Sequence, residues 1–296
     1  MPRAENAGTF IEYDTIGDPG DPALLLIMGL GAQLTSWEDG FCRLLADQGL
    51  FVIRFDNRDC GLSSKTSGPL PDAMSVLTAY TTGQKVGDGV PYSLSDMVGD
   101  GLAVMDELGI GSAHVAGASM GGMIAQQMAI ERPDRVLSLC SIMSTTGHPS
   151  VGQSTPEALA VMFAPPPPDR DGAIERSLQL AQVISGPLFD EARARERLAA
   201  AYDRSFHPDG VVFQLCAIAK TGDRTAGLRT VEVPAQVIHG KVDPLIQLSG
   251  GEATAAAIGG AKLVLFDEMG HDLPRPLWTD ITSAIADHAL AGAVGP

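Results

Sequence analysis

The stretch Ala113-His114-Val115-Ala116-Gly117-Ala118-Ser119-Met120-Gly121-Gly122 joins an apolar run to a segment with helical character. It predicts a strand over 113–116, a sharp turn centred on Ser119 and a helix over 121–131. In such a turn the central residue has strained backbone geometry, and the residues two before and two after it must be small because neighbouring backbone passes there. The helix start behind the turn favours developing negative charge. The stretch therefore predicts Ser119 as a nucleophile.

Strand and helix patterns alternate on both sides of this turn. The predicted strands are Phe10–Asp14, Ala23–Met28, Leu50–Phe55, Val136–Met143, Ala235–His239 and Lys262–Phe266, and the predicted core helices are Trp37–Gln48, Leu94–Leu108 and Trp278–Leu290. Short apolar strands that alternate with amphipathic helices predict an α/β fold, with a parallel sheet covered on both faces.

The alternation stops after the strand over 136–143, where only helices follow. They are predicted at Pro156–Phe163, Gly172–Ile184, Asp190–Phe206 and Gly210–Lys220. We therefore expect a core of residues 1–146 and 231–296, with a helical lid of residues 147–230 inserted between its two parts.

Composition limits the classes of protein that fit this fold. The 296 residues contain 45% hydrophobic and 19% charged residues, a balance typical of a folded globular protein. The net charge of −16 disfavours nucleic acid and anionic membrane surfaces as partners. The N-terminus has no apolar run typical of a signal peptide, and the longest apolar run, Ala23–Met28, is too short to span a bilayer. Four cysteines without metal-ligand spacing predict reduced thiols, no metal site and a cytoplasmic enzyme.

A serine hydroxyl needs a base, and His271 is the candidate because it follows the last predicted strand near the chain end. Of the other histidines, His114 and His239 lie in or at the end of predicted strands. We expect these two to be packing residues.

The base needs an orienting acid, and in this arrangement the chain order is Ser, acid, His. Asp243 lies in the loop after the strand over 235–239, where Pro244 stiffens the chain. Asp267 is the rival, but its closeness to His271 in sequence does not place its carboxylate on the imidazole. We therefore predict Asp243 as the acid.

A tetrahedral intermediate requires two backbone donors aimed at its oxygen. We predict the amide of Met120, which follows the nucleophile, and the amide of Leu30, in the loop after the strand over 23–28. Gly29 makes the close turn of that loop. The candidate substrate-pocket residues are Gly29, Trp37, Met162, Phe163, Phe206 and Phe213, although the helical spacing of those after Trp37 also fits packing within the lid.

The motifs that carry a resemblance to a known family are Met28-Gly29, the segment Arg54-Phe55-Asp56-Asn57-Arg58-Asp59-Cys60-Gly61-Leu62-Ser63, the turn around Ser119, Asp243 and His271. Together they resemble the α/β-hydrolase superfamily and are most similar to its aclacinomycin methylesterase-like carboxylesterases. The resemblance implies a mostly parallel eight-stranded sheet, a helical lid after the sixth strand, and hydrolysis of a small-molecule apolar ester without a cofactor. It also implies that the segment 58–63 is a structural loop near the site.

Two features of the chain depart from the family pattern. Many relatives have His-Gly where this chain has Met28-Gly29, a modest change because the required group is an amide. The segment from Gly147 to Lys220 shows no match, so the sequence leaves the substrate open.

Several alternatives remain at this stage. The same nucleophile could act on a thioester, a lactone or the C–C bond of a vinylogous diketone, since the triad serves all acyl carbons. A non-catalytic ligand-binding protein on the same fold is a further hypothesis. Dehalogenase or epoxide hydrolase chemistry would need an aspartate at position 119, and a dinucleotide enzyme would need a third glycine after Gly29 and Gly31. The oligomeric state is not predicted.

Overall fold

The computed structural model describes residues 2–83, 91–164, 167 and 169–291. Within this part of the chain eight strands form one sheet in the order β1-β2-β4-β3-β5-β6-β7-β8. The strands are β1 (Arg3–Asn6), β2 (Thr9–Ile16), β3 (Ala23–Ile27), β4 (Phe51–Phe55), β5 (Ala113–Ala118), β6 (Val136–Ile142), β7 (Ala235–Gly240) and β8 (Lys262–Phe266). The pairs β1–β2 and β2–β4 are antiparallel and the other five are parallel, which confirms the predicted α/β fold.

Helices cover both faces of the sheet. The described helices are α1 (Asp39–Ala46), α2 (Ala73–Thr82), α3 (Leu94–Glu107), α4 (Met120–Glu131), α5 (Pro156–Met162), α6 (Arg170–Ile184), α7 (Glu191–Arg204), α8 (Asp209–Thr221), α9 (Thr225–Leu228), α10 (Ser249–Ala257) and α11 (Trp278–Leu290). Because side chains alternate along a strand, Leu25 and Ile27 of β3 pack into one core with α3 and α4. Leu24 and Leu26 pack into a second core with α1 and α11.

The helices α5 to α9 lie between β6 and β7, and we call residues 147–230 the helical insert. Of the residues of α7 only Ala194 is buried, whereas α8 has eight buried residues and shares the core of α3 and α4. The insert therefore meets the core chiefly through α8. Its exact division from the core stays a prediction.

Four of the helices and strands were not predicted from the sequence patterns. One is α2, in the segment between β4 and α3, and the other three each lack an apolar stripe. The strand β1 pairs on one side only and consists of Arg, Ala, Glu and Asn. The helix α10 is composed mostly of Gly and Ala, and α9 has four residues. The helix predicted to begin at Trp37 begins at Asp39, since Trp37 ends a short 3₁₀ turn.

Among the described residues no helix combines the length and apolarity needed to cross a membrane. In the same part of the chain, no group of three or more His, Cys, Asp or Glu residues could hold a metal ion. All four cysteines are free and buried.

Candidate active site

Ser119 lies between the end of β5 and the start of α4, with φ 57° and ψ −119°. This conformation is strained for a residue with a side chain, and it occurs where the surrounding structure enforces it. The two glycines of the turn show how. A Cβ at Gly117 would overlap the carbonyl of Gly121, and a Cβ at Gly121 would overlap the carbonyl of Ile27. The turn therefore requires glycine at both positions.

The structure brings together the three side chains predicted as a triad. His271 Nε2 lies 2.9 Å from Ser119 Oγ, and His271 Nδ1 lies 2.8 Å from Asp243 Oδ2. When Nδ1–H donates to the carboxylate, Nε2 is free to accept the serine proton. This hydrogen-bond chain has the geometry that activates a serine for nucleophilic attack.

The second oxygen of Asp243 is held by the loop that carries it. Oδ1 accepts hydrogen bonds from the amides of Leu245 and Ile246, each at 2.9 Å, and the side chain is fully buried. These two bonds leave Oδ2 facing His271. The carboxylate therefore has a fixed orientation before any substrate arrives.

The rival acid lies elsewhere. Asp267 Oδ1 pairs with Lys241 Nζ at 2.6 Å, and its side chain is 79% exposed. A carboxylate in water and paired with a lysine cannot fix the orientation of a buried imidazole.

His239 is a second histidine beside Asp243. Its Nε2 donates to the carbonyl of Ile246 at 2.8 Å and lies 3.6 Å from Asp243 Oδ2. Burial lowers the pKa of His239, so the neutral form is favoured and Asp243 has one charged partner at most. This placement agrees with the packing role expected for this histidine.

The two predicted oxyanion donors lie in segments next to the serine: Met120 follows it in the chain, and the loop 28–31 approaches it through Gly29. The amide of Met120 is the first of α4, where an α-helix provides no acceptor. In the loop 28–31, a Cβ at Gly29 would lie 3.1 Å from Ser119 Cβ and 3.2 Å from the carbonyl oxygen of Ala118. Asn57 Nδ2 donates to the carbonyl of Met28 at 2.8 Å and holds the start of that loop. The role of the Leu30 amide stays a prediction that these contacts support.

The structure does not place the predicted pocket residues together around a single pocket. Trp37 is fully buried and Phe213 nearly so, each in a hydrophobic core, because their large apolar side chains fill space between the sheet and its helices. Phe206 is 49% exposed and stacks on Tyr202. Met162 and Phe163 are half-buried at the end of α5. A cavity of about 260 Å³ beside Met123, Thr145 and Ile218 is lined by none of the six predicted residues.

The segment 54–63 contributes to a buried charge network beside Gln33 and Leu34. Asp56 is fully buried, accepts from the amides of Leu34 and Leu62, and pairs with Arg204 at 2.8 Å. Arg204 lies at the end of α7 and also donates to Gln33 at 2.6 Å. The resemblance implied a structural loop at 58–63, but Arg204 was not predicted as a partner, since nothing in the local pattern around α7 indicates Asp56.

A second ion pair anchors the same segment to α3. Arg58 donates to both carboxylate oxygens of Asp100, each at 2.6 Å, and its guanidinium lies over the ring of Tyr92. Asp100 is fully buried, and burial raises its pKa while Arg58 opposes that shift. The contacts of Arg58 fit the structural role that the resemblance implied for this segment.

Comparisons with known proteins agree with this fold. A family model described as alpha/beta hydrolase fold matches residues 22–274. Rhodomycin D methylesterase DnrP of Streptomyces peucetius is 30% identical over 302 residues, which cover 94% of each chain. A 2-hydroxy-6-oxononadienedioate/2-hydroxy-6-oxononatrienedioate hydrolase of Burkholderia vietnamiensis is 28% identical and covers 88% of this chain and 84% of its own. The solved structure of the enol-lactonase from Burkholderia xenovorans LB400 has the same fold, with a TM-score of 0.72, 23% identity and coverage of 97% and 99%.

Proposed function

The chain belongs to the α/β-hydrolase fold family and is a carboxylic ester hydrolase, and on that premise we propose that it acts through an acyl-enzyme formed on Ser119. The observation that carries the proposal is the chain of hydrogen bonds from Ser119 Oγ through His271 to Asp243. A serine in a strained strand-to-helix turn, with an imidazole hydrogen-bonded to its hydroxyl, is typical of a catalytic nucleophile.

In the proposed reaction Ser119 Oγ attacks the ester carbon while His271 Nε2 takes the hydroxyl proton. Negative charge then develops on the carbonyl oxygen, and the amides of Met120 and Leu30 donate to it. The alcohol leaves with the proton that His271 returns, and water repeats the sequence to release the acid. Asp243 keeps the imidazole in the required tautomer and stabilises its charged form.

For the substrate we propose a methyl ester of an apolar small-molecule carboxylic acid. The support comes from the methylesterase relative, which matches almost the whole chain. The strongly acidic surface implied by the net charge of −16 also fits a substrate without negative charge.

A second candidate keeps the triad and changes the bond. The relative that hydrolyses a dienedioate, together with a 3-oxoadipate enol-lactonase from Acinetobacter baylyi at 23% identity, favours a lactone or a C–C bond as the alternative substrate. The same nucleophile and amides serve an acyl carbon in either setting. A thioester also stays within this candidate.

The test compares wild type with Ser119→Ala on methyl and p-nitrophenyl esters of increasing acyl length, together with labelling by a fluorophosphonate probe. We expect rapid hydrolysis by wild type, labelling at Ser119, and loss of both in the variant. Unchanged hydrolysis by Ser119→Ala would refute the proposal. Labelling of wild type without turnover of any ester would reject the ester and favour the second candidate.

A further inference from the structure

Gln214 lies on α8 of the helical insert, and its side chain is fully buried. Its Oε1 accepts a hydrogen bond from the amide of Gly31 at 2.8 Å, and its Nε2 donates to the carbonyl of Arg58 at 2.8 Å. Gly31 follows Leu30 in the loop after β3, and Arg58 lies in the loop after β4. One side chain of the insert therefore joins the loops that follow two neighbouring strands of the core.

The backbone of α8 touches the same two loops. Gly31 has φ +65°, and a Cβ there would lie 2.8 Å from Cγ2 of Val211. A Cβ at Gly210 would overlap the carbonyl of Asp59, next to Arg58. Because α8 is in contact with these loops one turn before Gln214, the side-chain amide of Gln214 is held against the amide of Gly31 and the carbonyl of Arg58.

We propose that Gln214 is a positioning residue that fixes the Leu30 amide as an oxyanion donor. The inference rests on the proposed function and names a residue of the insert that acts on it. The N–H of Leu30 belongs to the Gly29–Leu30 peptide, whose carbonyl accepts a hydrogen bond from the amide of Ala32 at 3.3 Å. Gln214 holds the next peptide through the amide of Gly31, so the φ and ψ angles of Leu30 join two peptides that are both hydrogen-bonded, and this limits the rotation of the Leu30 amide. An oxyanion donor contributes most when it is already aimed at the developing charge and needs no reorganisation.

The chemistry of the glutamine side chain suits this position. A neutral primary amide both accepts and donates from its end, which the Gly31 amide and the Arg58 carbonyl require together. Methionine has similar length but neither function, so it would leave a buried donor and a buried acceptor without partners. Asparagine retains both functions but is one methylene shorter and spans only one of the two loops.

The experiment measures kcat, KM and thermal stability for wild type, Gln214→Met and Gln214→Asn, with p-nitrophenyl acetate as substrate. The matched control is Gln236→Met, which removes another buried glutamine whose Nε2 donates to the carbonyl of Ala284 at 2.9 Å, away from the loop 28–31. We expect Gln214→Met to lower kcat by roughly 10- to 100-fold with KM nearly unchanged, and Gln214→Asn to be intermediate. Gln236→Met should lose stability and keep its kcat.

A second measurement is the rate at which a fluorophosphonate labels Ser119, because the phosphonyl oxygen takes the place of the oxyanion. Labelling should slow in Gln214→Met in proportion to kcat, and it provides the readout even for a wild type that hydrolyses no ester. A folded Gln214→Met or Gln214→Asn with wild-type kcat and labelling would overturn the inference, as would an equal loss in Gln236→Met. Failure of wild type to label would instead refute the proposed function itself.

Discussion

The main-chain amide of His271 donates to the carbonyl oxygen of Ile184 at 2.7 Å, and Ile184 is the last residue of α6. A helix of the insert therefore ends on the loop that carries the proposed base. Two glycines permit this approach. A Cβ at Gly270 would overlap the backbone of Gly186, and a Cβ at Gly186 would overlap the carbonyl of Glu268. Through Ile184 and Gln214, the insert contacts both the loop that carries His271, which we call the base loop, and the loop 28–31 of the proposed oxyanion hole.

The first prediction concerns Gly270→Ala. The added methyl group must push the segment 184–186 away from the base loop, so we expect a lower melting temperature and a kcat reduced by at least about 10-fold. The matched control is Gly259→Ala, because a Cβ at Gly259 would meet no atom within 4 Å. Steady-state kinetics and thermal unfolding of both variants make the test, and a wild-type kcat in Gly270→Ala would show that the insert does not position His271.

The second prediction compares two aspartates. Asp243→Asn removes the charge that holds His271 Nδ1–H, so kcat should fall by about three to four orders of magnitude. Asp267→Asn alters only an exposed pair with Lys241 and should leave kcat near the wild-type value. The measurement is kcat for both variants on the same ester. The reverse order would assign the acid to Asp267.

The third prediction is a dependence of stability on pH. Burial lowers the pKa of His114, His239 and His288 in the folded state. The unfolded chain protonates its histidines at a pKa of about 6.5, so below that pH it binds more protons than the folded chain. The free energy of unfolding should therefore decrease as the pH falls from about 7 to about 5.

His288 offers a way to isolate this contribution, since it is buried in α11 and its Nε2 contacts the carbonyl of Leu139 at 3.1 Å. In His288→Gln the loss of stability between about pH 7 and pH 5 should be smaller than in wild type. His148→Gln, at an exposed position, should retain the wild-type slope. Urea unfolding at each pH provides the measurement, and an unchanged slope in His288→Gln would contradict the assignment.

The fourth prediction tests the buried charge network. Arg204→Met leaves the fully buried carboxylate of Asp56 without its ion-pair partner, so the free energy of unfolding should fall by about 3 kcal/mol. Arg132→Met breaks a pair with Asp134 in which both side chains are largely exposed, and its effect on stability should be much smaller. Denaturant unfolding measures the free energy of unfolding of both variants. A decrease in Arg204→Met no larger than that in Arg132→Met would show that Arg204 does not stabilise Asp56.

The arrangement of residues around Ser119 can be predicted from the sequence where it follows from a single turn or from the order of the strands. Gly117 and Gly121 could be predicted from the turn alone, because the backbone that crosses them belongs to every turn of this kind. Asp243 could be placed beside His271 from the order of elements, since each follows a strand at the same edge of a parallel sheet. Gln214 could not be predicted, because it contacts a residue 183 positions earlier in the chain and no periodicity connects the two.

The residues that line a substrate pocket could not be predicted from the sequence patterns, for a related reason. An apolar residue in an amphipathic element has the same pattern whether its side chain faces a substrate or a core. Trp37 illustrates this, since it follows the loop 28–31 in sequence but packs against Phe41 within the core of α1 and α11. Only the tertiary packing of the insert on the sheet distinguishes the two cases.

The last prediction concerns Gly29→Ala. The new Cβ would lie 3.1 Å from Ser119 Cβ and 3.2 Å from the carbonyl oxygen of Ala118, which is tighter than nearly all real contacts but not a severe overlap. The loop 28–31 should therefore shift by a few tenths of an ångström away from Ser119, and the Leu30 amide should move with it. Since an oxyanion donor acts through its distance to the developing charge, we expect kcat to fall by roughly 10- to 100-fold with little change in KM.

The melting temperature separates this effect from loss of the fold. Gly29→Ala should remain close to wild type in thermal unfolding, whereas Gly121→Ala should be strongly destabilised because its Cβ would overlap the carbonyl of Ile27. Gly111→Ala, where a Cβ meets no atom within 4 Å, serves as the neutral control for both. A Gly29→Ala enzyme with wild-type kcat would mean that the loop after β3 supplies no oxyanion donor, because a loop displaced from the serine could then not be stabilising the transition state.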